Sequence, residues 1–293
     1  MRCILYSLAG ILLALTGVSR LNHYMNNLYF RHLTSRGPSV RFTPDPKDFA
    51  RNYYVNTDVK EDDGNYVFSY TFRDHDKTDR TWHWSYPDDV TDQMISDFGV
   101  PAFIFQPYVV SDTATQRRMN LISKGMFEME NNQIGPDMNK MINYYRPFME
   151  PLSQLVDNSL GTNATWRNRA EMIIKFVQDI PYGVPPDEQG SRYTGGIFPP
   201  PQVFVNMYGD CDSKVVLYSS LMSYYHDYDV LILQETSHVL TGIKGIPKPY
   251  DKYFEFRNNQ YIMAETAGPG RTDLGVITDP YQNITSEYLV KIE

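Results

Sequence analysis

Tyr208-Gly209-Asp210-Cys211-Asp212-Ser213-Lys214-Val215-Val216-Leu217-Tyr218-Ser219-Ser220-Leu221-Met222 is the stretch on which the reading of this fold turns. Over 210–225 it has the pattern of a helix, with Asp210 as its N-cap. Cys211, Val215, Tyr218 and Met222 share one face, while Val216, Leu217 and Leu221 make the helix apolar nearly all round. Such a helix is expected to be buried. Short β-branched and aromatic runs follow it. The spans 230–234 and 237–244 read as strands joined by a Glu235-Thr236 turn, and 254–256 and 261–265 as a hairpin across 257–260. The expectation is an α+β fold in which the buried helix carrying Cys211 packs on an antiparallel sheet.

Upstream, Thr165 can cap a helix over 165–180 that places Trp166, Ala170, Ile173, Ile174 and Val177 on one face and stops at Pro181. The span 183–201 is loop-like, with Pro185-Pro186, Gly195-Gly196 and Pro199-Pro200-Pro201. Strands are expected over 65–73 and 81–86, joined by the polar connection 74–79, and helices over 88–98, 113–129 and 136–155. Residues 20–64 read as an irregular, polar lead-in with one short helix. The division expected is a signal segment at 1–19, an accessory α+β region at 20–150 and a catalytic domain at 151–293.

The chain has 293 residues and a formal net charge of −8, and 42% of it is hydrophobic. That is enough for a full core. An acidic chain with no long basic stripe argues against nucleic acid as a partner and leaves peptides and glycans open. Met1-Arg2 followed by an apolar run to Val18 matches an export signal, with cleavage permitted after Ser19. The location expected is extracytoplasmic, secreted or periplasmic, with membrane attachment only if that segment is retained as an anchor. Of the two cysteines, Cys3 lies in this segment, so the exported chain would carry the single thiol of Cys211 and no internal disulfide. Asn163-Ala164-Thr165 and Asn283-Ile284-Thr285 fit the glycosylation triplet.

A thiol becomes a strong nucleophile as the thiolate, and a helix N-terminus beside a histidine can lower its pKa. The same unpaired N–H groups can stabilise an oxyanion. Asp210 and Asp212 act in the opposite sense. His238 and Glu265 stand on later strand-like segments, in the chain order Cys, His, acid. If those strands pair, the carboxylate can hold one ring nitrogen protonated while the other takes the thiol proton.

Four stretches carry a resemblance. They are Phe176-Val177-Gln178-Asp179-Ile180-Pro181-Tyr182, Gly209-Asp210-Cys211-Asp212-Ser213-Lys214, Ser237-His238-Val239-Leu240-Thr241-Gly242-Ile243 and Tyr261-Ile262-Met263-Ala264-Glu265-Thr266. Together they cover about residues 165–275, which resemble the transglutaminase-like superfamily of papain-type cysteine enzymes, in particular its bacterial members. The resemblance implies a papain/transglutaminase-like core with Cys211 as nucleophile, His238 as base and Glu265 as orienting acid, where most of the superfamily has aspartate. Gln178 is the candidate second oxyanion donor. It further implies a thioester intermediate formed from an amide or peptide and resolved by water or an amine.

Other chemistries find little support. One thiol excludes a tetracysteine zinc site, and none of the six histidines forms a His-Glu-x-x-His pair. His75 and His83 flank the 74–79 connection. The chain shows no phosphate loop, dinucleotide fingerprint or Gly-x-Ser-x-Gly elbow. No metal and no cofactor are expected. The leading expectation is a cysteine hydrolase of the peptidase type acting on a peptide or protein. The alternatives are an amine-transferring transglutaminase and a non-catalytic binding module on the same fold.

Overall fold

The structure is a computed structural model that describes residues 49–108, 110–130, 132–225, 228–235, 238–277, 284 and 286–291. All of them belong to the unit Thr43–Glu293. The signal segment at 1–19 with Cys3, most of the lead-in, Thr236 and the triplet at 283–285, apart from Ile284, lie outside the described residues.

β1 (Asn56–Asp62), β2 (Asn65–Arg73) and β3 (Asp79–Pro87) form an antiparallel meander. Alternation decides its faces: Phe68, Tyr70 and Phe72 on β2 and Trp82, Trp84 and Tyr86 on β3 all point into the core. Phe68 faces Trp84 across the ladder and stacks on it at 5.1 Å. β1 lies within the stretch expected to be irregular. Its polar residues suit an exposed edge, and Asp63-Gly64, both at positive φ, close a two-residue turn onto β2.

α1 (Asp88–Asp97) follows, then β4 (Val100–Pro101) and α2 (Asp112–Lys124). The helix expected to reach Met129 ends at Gly125. Met126 adopts a left-handed φ of 62°, and β5 (Phe127–Glu130) pairs with β6 (Gln133–Pro136) as a hairpin. The single helix expected over 136–155 is two, α3 (Met138–Tyr145) and α4 (Glu150–Leu160), separated by a 3₁₀ turn at Arg146–Met149. Pro147 and Pro151 supply no N–H, so each falls at the start of a new helical segment.

α5 (Trp166–Asp179) has the expected cap: Thr165 Oγ1 accepts from Asn168 N–H, and Asn168 Oδ1 accepts from Thr165 N–H. Its Phe176 is clamped by the meander, stacking on Trp82 at 5.1 Å with the rings of Tyr70 and Phe72 edge-on. The loop after Tyr182 includes the short pair β7 (Glu188–Gln189) and β8 (Arg192–Tyr193) and passes into α6 (Pro200–Asn206).

α7 (Cys211–Tyr224) is buried on nearly every side, as its composition predicts. Beside it lies a five-stranded antiparallel sheet of β9 (Val230–Gln234), β10 (Val239–Lys244), β11 (Tyr253–Phe256), β12 (Asn259–Ala264) and β13 (Ser286–Leu289), in the order β11-β12-β10-β9-β13. β11 and β12 form the expected hairpin, and β10 pairs with β12, with Thr241 opposite Ala264, which meets the condition for His238 and Glu265 to be neighbours. The molecule is therefore mixed α+β with several antiparallel sheets. The division expected at 150/151 does not appear as a break in packing. Aromatic residues from β2 and β3 share one buried cluster with α5, α7 and the central sheet strands.

Candidate active site

Asp210 starts α7 in extended conformation, and its Oδ1 accepts from Ser213 N–H at 3.0 Å and from Ser213 Oγ at 2.6 Å. Burial raises the Asp210 carboxyl to about 6, with the Ser213 bonds acting against the rise. Ser213 Oγ also accepts from the Phe198 N–H at 2.9 Å, tying the preceding loop to the helix start.

Cys211 is the first residue of α7 and is 9% exposed. Its Sγ lies 3.8 Å from Asp212 Oδ2, in a position to donate to that carboxylate. The sequence leads one to expect a thiol lowered by the helix start. The structure places it in surroundings that do the reverse. Burial, then Asp212 and Asp210, push the Cys211 thiol up to about 12, although the N–H groups of Val239 and Asp212 partly offset them. The resting thiol is protonated at neutral pH.

His238 immediately precedes β10, and the Glu235 N–H bonds its carbonyl at 2.8 Å. Its Nε2 is 2.8 Å from Glu265 Oε2. Burial opposes the charged ring, but the Glu265 hydrogen bond and charge, with Asp212 and Glu235 adding to them, raise the imidazole above its ordinary value. Glu265 follows the last residue of β12 and is 8% exposed. Its Oε1 accepts from the Ala267 N–H at 2.8 Å. The antiparallel pairing of β10 and β12 brings residues 27 apart in the chain into contact, and the Val239 N–H reaches the Cys211 sulfur from the same strand. His238 and Glu265 are thus in contact, and the residue after His238 reaches Cys211.

Gln178 does not take the place expected of it. It is fully buried, and its Nε2 donates to Glu265 O at 2.7 Å and to Thr272 O and Oγ1, each at 3.1 Å. These acceptors commit the amide to bracing the Glu265 backbone, which corrects its assignment as an oxyanion donor. Two further groups at the site escape a reading by motif. Lys214, in the turn after Cys211, is fully buried and donates Nζ to Ile180 O at 2.5 Å and to Ala267 O. Burial lowers it to about 7. Tyr182 is half-buried and is raised to about 12 by burial and then by Cys211, Asp210, Asp212 and Glu265. The signal for Lys214 was present: a lysine inside a helix otherwise too apolar to touch water.

The ligand-type atoms of Asp210, Cys211 and Asp212 lie within 4.8 Å of one another. Asp210 Oδ1 is already engaged by Ser213, so this grouping serves the helix start. His75 sits 3.4 Å from Asp76, and His83 is exposed on β3. Surface hollows of about 550 Å³ at Asp112–Asn120 and about 250 Å³ around His75, Arg80 and Asn168 are lined by neither Cys211, His238 nor Glu265. Among the described residues no helix is long and apolar enough to cross a membrane. Comparison of the chain with protein-family models, with curated proteins and with solved structures gives no match.

Proposed function

We propose that the protein is a thiol-dependent amide-bond hydrolase of peptidase type, built on a papain/transglutaminase-like core, with Cys211, His238 and Glu265 as its triad. The observation that carries this reading is the 2.8 Å contact between His238 Nε2 and Glu265 Oε2, made beside the helix whose first residue is the free thiol of Cys211. With Nε2 bonded to Glu265, Nδ1 is the ring atom that takes the thiol proton. The sulfur then adds to the substrate carbonyl, and the positive N-terminal end of α7 favours the developing oxyanion. Collapse forms a thioester as the leaving amine receives the proton from His238. Water, deprotonated by His238, adds to the thioester, and release of the acid returns the proton to sulfur. On this reading residues 1–19 direct export, and the substrate is a peptide or protein.

The protonated resting thiol makes general-base assistance obligatory. Iodoacetamide should therefore alkylate Cys211 slowly near pH 7 and increasingly fast toward pH 10, and His238→Ala should slow it further. Substrate profiling with peptides and amides should give turnover that Cys211→Ala abolishes. Retention of turnover in Cys211→Ala would exclude the triad.

A second reading, a non-catalytic binding module, is favoured by the 9% exposure of Cys211 and its raised thiol. It requires an alkylation profile indifferent to His238. Products formed with an added primary amine, resolved by mass, separate amine transfer from hydrolysis.

A further inference from the structure

We infer that Lys214 is a positioning residue, whose buried Nζ fixes the corner from which Glu265 holds His238. The inference rests on the triad reading given above and goes beyond it by assigning a role to a side chain that touches none of the reacting atoms.

Lys214 is fully buried on α7, three positions after Cys211. A lysine there is costly unless its donors are met. Its Nζ meets the carbonyl of Ile180 at 2.5 Å and that of Ala267, with Gln178 O at 3.5 Å and the Tyr182 ring centroid at 5.7 Å. The two close acceptors need two hydrogens, so either the ammonium or the neutral amine makes both bonds. Ile180 is the C-cap residue of α5, where carbonyls lack helical partners. Ala267 is the residue whose N–H grips Glu265 Oε1.

The consequence is a continuous path. Helix α7 holds Lys214, Lys214 holds Ala267, Ala267 holds one oxygen of Glu265, and the other oxygen holds His238. The nucleophile begins the same helix. Sulfur and carboxylate are thereby referred to one rigid element, although they lie far apart in the chain. Gln178 fixes the Glu265 carbonyl from the α5 side. Its own carbonyl is approached so closely by Gly268 that no Cβ fits there. Removing the lysine donor leaves two buried carbonyls unmet and lets the 265–268 corner shift.

The experiment is Lys214→Met, which keeps an unbranched side chain and removes the donor. The His238 ring is titrated by NMR, and Cys211 alkylation by iodoacetamide is followed from pH 6 to 10. In a folded variant the His238 pKa should fall toward the ordinary 6.5, and alkylation should slow several-fold. A folded Lys214→Met with the wild-type His238 titration overturns the inference and leaves the lysine a purely structural brace. Should the variant not fold, native-state hydrogen exchange in wild-type protein decides. The Ala267 amide should exchange only with the opening that frees α7, and exchange through a separate local opening overturns the inference. His238→Ala keeps the two readings apart. If it leaves wild-type alkylation unchanged, the triad fails, while the His238 titration still reports on Lys214.

Discussion

A carboxylate stands beside the Cys211 thiol, 3.8 Å from sulfur to Asp212 Oδ2. After burial it is the strongest influence holding that thiol protonated. It acts on His238 as well, because its charge also favours the imidazolium. Asp212 therefore favours the protonated thiol. Asp212→Asn should lower the thiol pKa by about one unit and speed iodoacetamide labelling at pH 8 about tenfold, equivalent to ~1.4 kcal/mol. A rate at or below wild type would show that burial alone protects the sulfur. Cys211, His238 and Glu265 were legible as residues because each belongs to a short motif in a fixed order. What the sequence did not disclose was the contacts of Lys214 and Gln178, whose partners Ala267 and Glu265 lie 53 and 87 positions away.

At the scale of elements, the segment that matters most is the turn leaving β12. Gly268 has a φ of +62°, and a Cβ there would overlap the Gln178 carbonyl. Gly268→Ala should lose about 1–3 kcal/mol from its backbone conformation alone, with the overlap adding to that. Chemical denaturation measures the loss, and Cys211 alkylation should become less dependent on His238 as the Glu265 corner moves. A variant as stable as wild type would show that the turn relaxes freely. The elements themselves were read well where periodicity and capping agree, as in α5 with its Thr165 box and in α7. They were misread where a single backbone event interrupts a good pattern. The spacing over 113–129 is helical, but the left-handed Met126 redirects the chain into β5. Residues 56–62 are too polar to announce a strand, and the Asp63-Gly64 turn was the clue to it.

Across the whole molecule, one core joins the meander to the helix and sheet that carry the site, so stability and site geometry rise and fall together. Lys214 ties both to pH. Asp179, Glu265, Asp210 and Cys211 favour its charge, yet burial outweighs them and lowers it to about 7, against an ordinary lysine near 10.4 in the unfolded chain. Between these values the unfolded state binds the extra proton, so this group adds stability as pH rises. The addition is lost as pH falls to 7. Wild type should gain about 2 kcal/mol relative to Lys214→Met between pH 7 and pH 9, read from urea midpoints at each pH. Parallel curves for the two proteins would mean that the lysine is not held as the structure holds it. The α+β class and the hairpin of β11 and β12 were legible before the structure. The shared core was not, because residues of the 20–150 region carry no mark of the helices they will pack against.

The last described strand, β13, lies along β9, whose Val230-Leu231-Ile232-Leu233 run is entirely buried. Without Ser286–Leu289 that run would be the margin of the sheet, with its backbone donors and acceptors facing outward. Such a margin is a template for joining one molecule to the next. Ser286–Leu289 therefore keeps that apolar run off the sheet margin and puts a strand with exposed and half-buried residues there instead.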